Sequence, residues 1–343
     1  MPPQLATLVS DAPTGDEWLH EMKFDGYRIL ARLERGRARL LSRNGNDWTE
    51  RFAVVAKGVE RLPAERAMLD GEVAVLLPDG TTSFQALQNL LSGGTGGQLV
   101  YMAFDLLHLD GRDLTGARLE DRKGVLEALL AAAGAAAEPV RMSRHVVGSG
   151  PAFLEQACRL GLEGAVAKRR DAPYRSARNP DWRKIKCTKR QEVVIGGFTE
   201  PDGSRVGIGA LLAGVYEGGR LAYAGKVGTG FTERVLRELR RRLEGLRADR
   251  SPFADPPTGV GVAHWVRPEL VAEVEFTQWT DDGKMRHPSF QGLREDKRAS
   301  DVVRERPSAP EAAKGARSMP NAHTSRASTA SAPSRAQRPG RKR

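Results

Sequence analysis

Glu21-Met22-Lys23-Phe24-Asp25-Gly26-Tyr27-Arg28 sets a lysine, a carboxylate, a glycine and an arginine within six residues, between strand-like runs at Trp18-Leu19-His20 and Ile29-Leu30-Ala31. Polar groups this dense at a strand junction need a purpose. A lysine amine attacks phosphorus once it is deprotonated, and a nearby cation or partial burial lowers its pKa toward that state. Arg28, five residues on, is a candidate for that cation and for a phosphate clamp. A bare Lys-x-Asp-Gly also describes a β-edge with solvated charges, so the rest of the chain has to discriminate.

At 343 residues, two domains are expected, and the irregular alternation of helix-like and strand-like segments gives an α+β class. No apolar run is long enough to span a bilayer, and Met1-Pro2-Pro3-Gln4 is not a secretory signal, so a soluble, cytoplasmic monomer is expected, with no membrane partner. Cys158 and Cys187 are the only cysteines, and neither has a His or Cys at ligand spacing. That pattern excludes a disulfide framework and a zinc site and suits a reducing compartment. The net charge of +11 invites a nucleic-acid partner. From Arg306 onward nine Lys/Arg face Glu311 alone, which leaves residues 1–305 only mildly basic. Any binding groove in the body must therefore come from placement of charge, and the tail is a separate electrostatic device.

Alternation over Ile29, Ala31, Leu33 and then Ala38, Leu40 reads as a hairpin ending at Ser42-Arg43-Asn44-Gly45. Residues 50–62 read as helix, 67–77 as a buried strand, Phe84 to Leu91 as a short helix and 100–107 as another strand. Residues 119–137 and 152–160 read as helices and 162–168 as strand. After Lys189-Arg190 come short strands with Gly/Asp turns and one amphipathic helix over 231–246, with Leu236, Leu239, Leu243 and Leu246 on one face. That block fits a small OB-type β-barrel with Trp265 and Trp279 in its core. The expected domains are 1–187, 188–303 and a disordered basic tail over 304–343, rich in Ser, Ala, Pro and Arg.

Glu72 and Glu163 each interrupt a strand otherwise made of Leu, Val and Ala. A buried carboxylate needs a cation, a donor or water, and two of them suit a divalent cation that prefers oxygen ligands. Lys184 and Lys186 leave one strand on the same side, with Ile185 toward the core, which suits gripping a polyphosphate. Lys168, leaving another strand, joins that cationic set. Taken singly, each has a plainer alternative: a satisfied carboxylate, a solvated basic edge, a core phenylalanine at Phe104, a surface arginine at Arg43.

In order along the chain, Lys23-Phe24-Asp25-Gly26-Tyr27-Arg28, Ser42-Arg43-Asn44-Gly45, Asp70-Gly71-Glu72, Phe104-Asp105-Leu106-Leu107, Glu163-Gly164-Ala165-Val166-Ala167-Lys168, Trp182-Arg183-Lys184-Ile185-Lys186 and Arg294-Glu295-Asp296-Lys297 resemble the motifs of the ATP-dependent DNA ligases, within the covalent nucleotidyltransferases. The approach through Trp18-Leu19-His20 and Arg286-His287-Pro288-Ser289-Phe290 is most similar to the ligase module of bacterial end-joining ligases, the ligase D type, here expected as a stand-alone version. Ala165, where relatives carry a larger aliphatic, departs from the pattern and reads as neutral packing.

The resemblance implies a nucleotidyltransferase (adenylation) domain with antiparallel and mixed sheets followed by an OB domain, acting on nicked or broken duplex DNA through a lysyl-AMP intermediate. It implies Lys23 as nucleophile toward ATP, Glu21 and Phe104 at adenine, and Arg28 and Glu72 at the ribose-phosphate. Glu72 and Glu163 would support Mg2+ or Mn2+, Lys168, Lys184 and Lys186 would contact the α-phosphate, Arg294 and Lys297 would orient the leaving pyrophosphate, and Arg43 would touch DNA. A Ku-type end-binding protein is an implied partner. RNA ligases and GTP-using capping enzymes share the lysine chemistry. A non-catalytic relic would show decay at these positions, and none is decayed.

Overall fold

Asp70-Gly71-Glu72 lies inside an eleven-residue strand, Arg66–Leu76, at the centre of the larger N-terminal sheet. Its neighbours are Gly26–Glu34, paired outward to Arg37–Ser42, and Gln98–Leu109, paired to Arg112–Asp113 and, in parallel, to Val140–Met142. Gly71 is required by a close approach. A Cβ there would sit 2.5 Å from the Tyr101 ring, whose hydroxyl donates to the carbonyls of Ile29 and Leu69. The helices Ala53–Glu60 and Leu119–Ala133 cover one face of this sheet, over a core that includes Ile29, Leu69, Val73, Val55 and Leu126. The expected helix over 119–137 ends earlier in regular form, since Gly134–Ala137 continue as a 3-10 turn.

A second sheet of five strands runs in the order Leu5–Leu8, Arg178–Lys186, Gly164–Arg169, Trp18–Met22, His145–Val147. Leu5–Leu8 is a strand that the polar, Pro-rich start of the chain concealed; it pairs in parallel with Arg178–Lys186. Between the sheets lie Leu30, Phe104 and Leu107 from one and Trp182 from the other, joined by Tyr174. The chain crosses from the second sheet to the first at Lys23-Phe24-Asp25, directly before Gly26, where a Cβ would collide with the Val73 carbonyl.

The C-terminal domain has its own core, with Val193, Phe198, Leu212, Leu239 and Phe290 among its members. Its sheet runs Arg220–Val227, Leu211–Glu217, Arg190–Thr199, Val271–Glu275, Ser289–Leu293, and Ala263–Trp265 pairs with the far half of Arg190–Thr199. A parallel bridge from Thr229 to Ser289 brings the two ends of the sheet together, so it curls as an OB domain does without a closed ladder. The amphipathic helix is Glu233–Glu244, capped by Thr232, with Leu236, Leu239 and Leu243 buried on one face.

The computed structural model describes residues 1–308; the basic tail that the sequence marks from 304 lies, from 309 onward, outside the described residues. No helix among the described residues is long and apolar enough to cross a membrane. One expectation is overturned. Cys158, near the end of the helix Gly150–Arg159, and Cys187, just past the strand Arg178–Lys186, form a disulfide across a Cα separation of 5.2 Å. Spacing along the chain hid the pair, because the fold brings those two element ends side by side. Substituting Gly71→Ala should drive the new methyl into Tyr101 and cost about 1–3 kcal/mol, read as a lower urea midpoint at unchanged slope.

Candidate active site

The reactive side chains follow from register. Met22 pairs with Ala165 and Glu21 with Val166, and Val166 in turn pairs with Lys184. Period-two alternation therefore sends Glu21, Lys168, Trp182, Lys184 and Lys186 to one face of the second sheet, the face turned toward the first. From the first sheet, Arg28 and Glu72 stand opposite each other in register. The C-terminal domain closes the space with Glu273, Arg294 and Lys297. All the residues singled out from the sequence line one cavity of about 180 Å³: Glu21, Lys23, Arg28, Arg43, Glu72, Phe104, Glu163, Lys168, Lys184, Lys186, Arg294 and Lys297.

Lys23 is held at both ends. Its amide donates to the Gly164 carbonyl at 3.0 Å, and its ammonium makes a short hydrogen bond to Glu163 Oε1. The other Glu163 oxygen, Oε2, is buried without a partner among the described residues. Gly164 keeps Glu163 in place, since its φ of +151° and the close approach of the Ile185 carbonyl leave no room for a Cβ. Burial alone would lower the Lys23 pKa, but Glu163, Glu273 and Asp25 outweigh it and raise it above the ordinary lysine value. This corrects the expectation that a neighbouring cation depresses it. Arg28 instead grips Asp70 through two bonds of 2.5 and 2.6 Å, and Tyr174 donates to the same carboxylate.

Glu21 is fully engaged. Lys123 reaches Oε1 at 2.9 Å, while Ser143 and Lys168 reach Oε2 at 2.7 and 3.0 Å. Burial pushes the Glu21 carboxyl up, but the two ammoniums pull it down further, to about 2. Lys168 is lowered to about 8, by burial first, with Lys123 beside it adding to the effect against the pull of Glu21. Lys168 lies 4.1 Å above the Phe104 ring centroid and Arg28 lies 4.6 Å from it, so the ring that the family resemblance places at adenine carries cations in this arrangement. Glu72 is raised to about 7, because burial exceeds the pull of Lys23, Arg28 and Arg294.

Asp25, Glu163 and Glu273 present carboxylate oxygens that all lie within 4.8 Å of one another. Burial, then the two neighbouring carboxylates, raise Asp25 to about 6 against the Arg190 guanidinium bonded to it at 2.6 Å. A hard divalent cation suits three such oxygens, and the orphaned Glu163 Oε2 fits it as a ligand. Sequence pointed to Glu72 with Glu163; Glu72 lines the same cavity, while the triad takes Asp25 and Glu273 instead.

Each cation from the C-terminal domain also meets a carboxylate. Arg294 contacts Glu273 and Asp296 at 2.9 Å, and Lys297 contacts Glu192 at 2.7 Å. Lys184 and Lys186 share Glu305, at 2.5 and 2.8 Å. Arg43 lines the cavity and the adjoining groove, where burial lowers its pKa.

Sequence reading missed Lys123, Glu273 and Glu305, and it quoted Asp25 in the opening stretch without giving it a site role. Two had a usable signal. Glu273 interrupts Val271-Ala272-Glu273-Val274 just as Glu72 and Glu163 interrupt their strands, and Lys123 falls on the Leu119, Leu126 face of its helix. Glu305 had none, since it follows the last regular element.

Two family models match the chain, described as "ATP dependent DNA ligase domain" over residues 3–186 and "ATP dependent DNA ligase C terminal region" over residues 204–297. A curated relative from Pseudomonas aeruginosa, "Multifunctional non-homologous end joining protein LigD", is 48% identical over 333 residues, 96% of this chain and 39% of that protein. The Mycobacterium bovis protein of the same description is 40% identical over 309 residues, 88% of this chain and 40% of that protein. The chain thus spans about two fifths of the length of these relatives. The solved "mycobacterial DNA ligase D complexed with ATP and MES" is 38% identical with a TM-score of 0.67, covering 89% of this chain and 98% of that one.

The Glu21 cluster generates a stability expectation. Its folded pKa is depressed, so its contribution is full above the unfolded value of 4.5 and is lost as pH falls from there toward 2. Glu21→Gln leaves two buried ammoniums facing a neutral amide and should cost about 3–5 kcal/mol at neutral pH. In acid titrations of urea stability, the gap between wild type and variant should close over that same window.

Proposed function

The chain belongs to the ATP-dependent DNA ligases, and we propose that it seals nicked or broken duplex DNA by carrying AMP on Lys23. The observation that carries this reading is the convergence of Lys23, two sets of phosphate-directed cations and a carboxylate triad on one cavity. The identity and printed descriptions of the relatives support a role in end joining, with recruitment by a Ku-type protein as part of the proposal.

Three in-line displacements at phosphorus make up the reaction. In the first, the Lys23 nitrogen attacks the α-phosphorus of ATP; an N–P bond forms and the bond to pyrophosphate breaks. The DNA 5′-phosphate then displaces Lys23 from AMP. Last, the 3′-hydroxyl displaces AMP and forms the phosphodiester.

Lys23 must first lose the proton that it shares with Glu163. Asp25, Glu163 and Glu273 would hold a divalent cation, which when bound neutralises the anionic field around the amine and draws charge from the phosphates. Lys184 and Lys186 grip phosphate from the wall of the second sheet. Arg294 and Lys297, brought in by the C-terminal domain, stabilise the departing pyrophosphate. Their position over the cavity obstructs a duplex approaching Lys23, so the domain must swing away before DNA enters. The Glu21, Lys123 and Lys168 cluster forms the floor on which the base would rest.

Incubation with labelled ATP or GTP, followed by nicked DNA or RNA, tests the reading: ATP and nicked DNA should give covalent label and sealed product. Label from GTP alone, or sealing of RNA alone, would overturn it. Arg294→Ala and Lys297→Ala should slow self-adenylylation at least ~100-fold while sealing of a pre-adenylylated nick stays near wild type. The rate of adenylylation should rise with pH, because Lys23 is held protonated, and at limiting magnesium that rise should move to higher pH.

A further inference from the structure

Lys184, Lys186, Arg294 and Lys297 each face a carboxylate in this closed arrangement. Glu273 and Glu192 belong to strands of the C-terminal domain and Asp296 to the turn after its last strand, whereas Glu305 lies beyond the last regular element. Residues 303–308 form a strap. Val303 bridges to Tyr216, and the Tyr216 amide donates to the Val302 carbonyl at 2.8 Å, so the strap hangs from the C-terminal domain. The Gln191 side chain fixes it further by donating to the Val303 carbonyl and accepting from the Glu305 amide, both at 3.0 Å. Ser308 then reaches the N-terminal strand through the Leu8 carbonyl at 2.9 Å. Glu305 is thereby carried onto the adenylation domain, one oxygen on each lysine.

We propose that Glu305 is a built-in competitor for the nucleotide's phosphate, which holds Lys184 and Lys186 in the closed, nucleotide-free enzyme and has to lift before both lysines bind ATP. The inference rests on the reading of that lysine pair as a phosphate grip. Two cations two residues apart on a strand repel each other when buried, and a carboxylate between them relieves this until a more highly charged anion replaces it. The Glu305 carboxyl group suits such a role, because it stays an anion: burial pushes its pKa up, yet the two lysines hold it well below the usual range. A triphosphate carries more charge than one carboxylate and wins the lysines, at the cost of the strap contacts. Because the strap is tethered to the C-terminal domain, the same ion pairs also join that domain to the strand that carries Lys184 and Lys186.

Steady-state sealing of nicked DNA by the full chain at varied ATP tests this. Glu305→Gln keeps the shape and removes the charge; its KM for ATP should fall about tenfold, the effect of losing one partly buried charged competitor, with kcat little changed. Sealing by enzyme that already carries AMP should be unaffected. A second measurement avoids the variant: in Lys23→Ala, adding ATP should speed amide hydrogen exchange across 303–308, where the Glu305 and Ser308 amides are now bonded. A KM unchanged or raised in Glu305→Gln, or exchange at the strap unmoved by ATP, overturns the proposal. Wild-type protein that forms no adenylate would instead overturn the ligase reading beneath it.

Discussion

The ion pair between Lys23 and Glu163 is the contact on which the rest of the site depends. It forms because the chain passes from one sheet to the other at Lys23-Phe24-Asp25, and because Gly164 lets the Glu163 turn lie against that crossing. Its consequence is electrostatic. The amine proposed to attack phosphorus sits among Glu163, Glu273 and Asp25, which favour the ammonium. Those carboxylates hold the amine protonated, and on the proposed reading reactivity arrives with a cation and phosphates that rearrange those charges.

The same logic extends outward as alternating charge. Glu21 neutralises Lys123 and Lys168, Asp70 neutralises Arg28, and Asp105 neutralises Arg122 through two bonds of 2.8 Å. Buried pairs of this kind add little net stability over apolar packing, yet leaving one partner alone is expensive, so they enforce a particular arrangement. Across the domains, Arg190 on Asp25 and Arg51 on Glu295 act in the corresponding way. Arg51 and Glu295 keep part of their surface in water, while Asp25 is buried against Arg190. An interface closed largely by polar pairs suits the proposed opening and closing.

Much of this was legible in the sequence because strand periodicity is simple. Carboxylates at 72 and 163 break apolar runs, and Lys184 and Lys186 share a face, so their convergence could be foreseen without coordinates. What escaped depends on which partner tertiary packing delivers. Arg28 stands near Lys23 in sequence but turns to Asp70, and the direction of the lysine's pKa shift reverses with it. The Cys158–Cys187 bond and the grip of Glu305 join segments that no local pattern links. Strand Leu5–Leu8 was hidden because its pairing partner lies about 170 residues on, at Arg178–Lys186.

The function proposed for this chain turns on a bond between phosphorus and the Lys23 nitrogen. Mass analysis of peptides from protein incubated with ATP and magnesium, kept away from acid, locates it. The expected result is one AMP on the peptide containing Lys23 and none in Lys23→Ala. AMP on another residue, or an adduct that survives in Lys23→Ala, would contradict it.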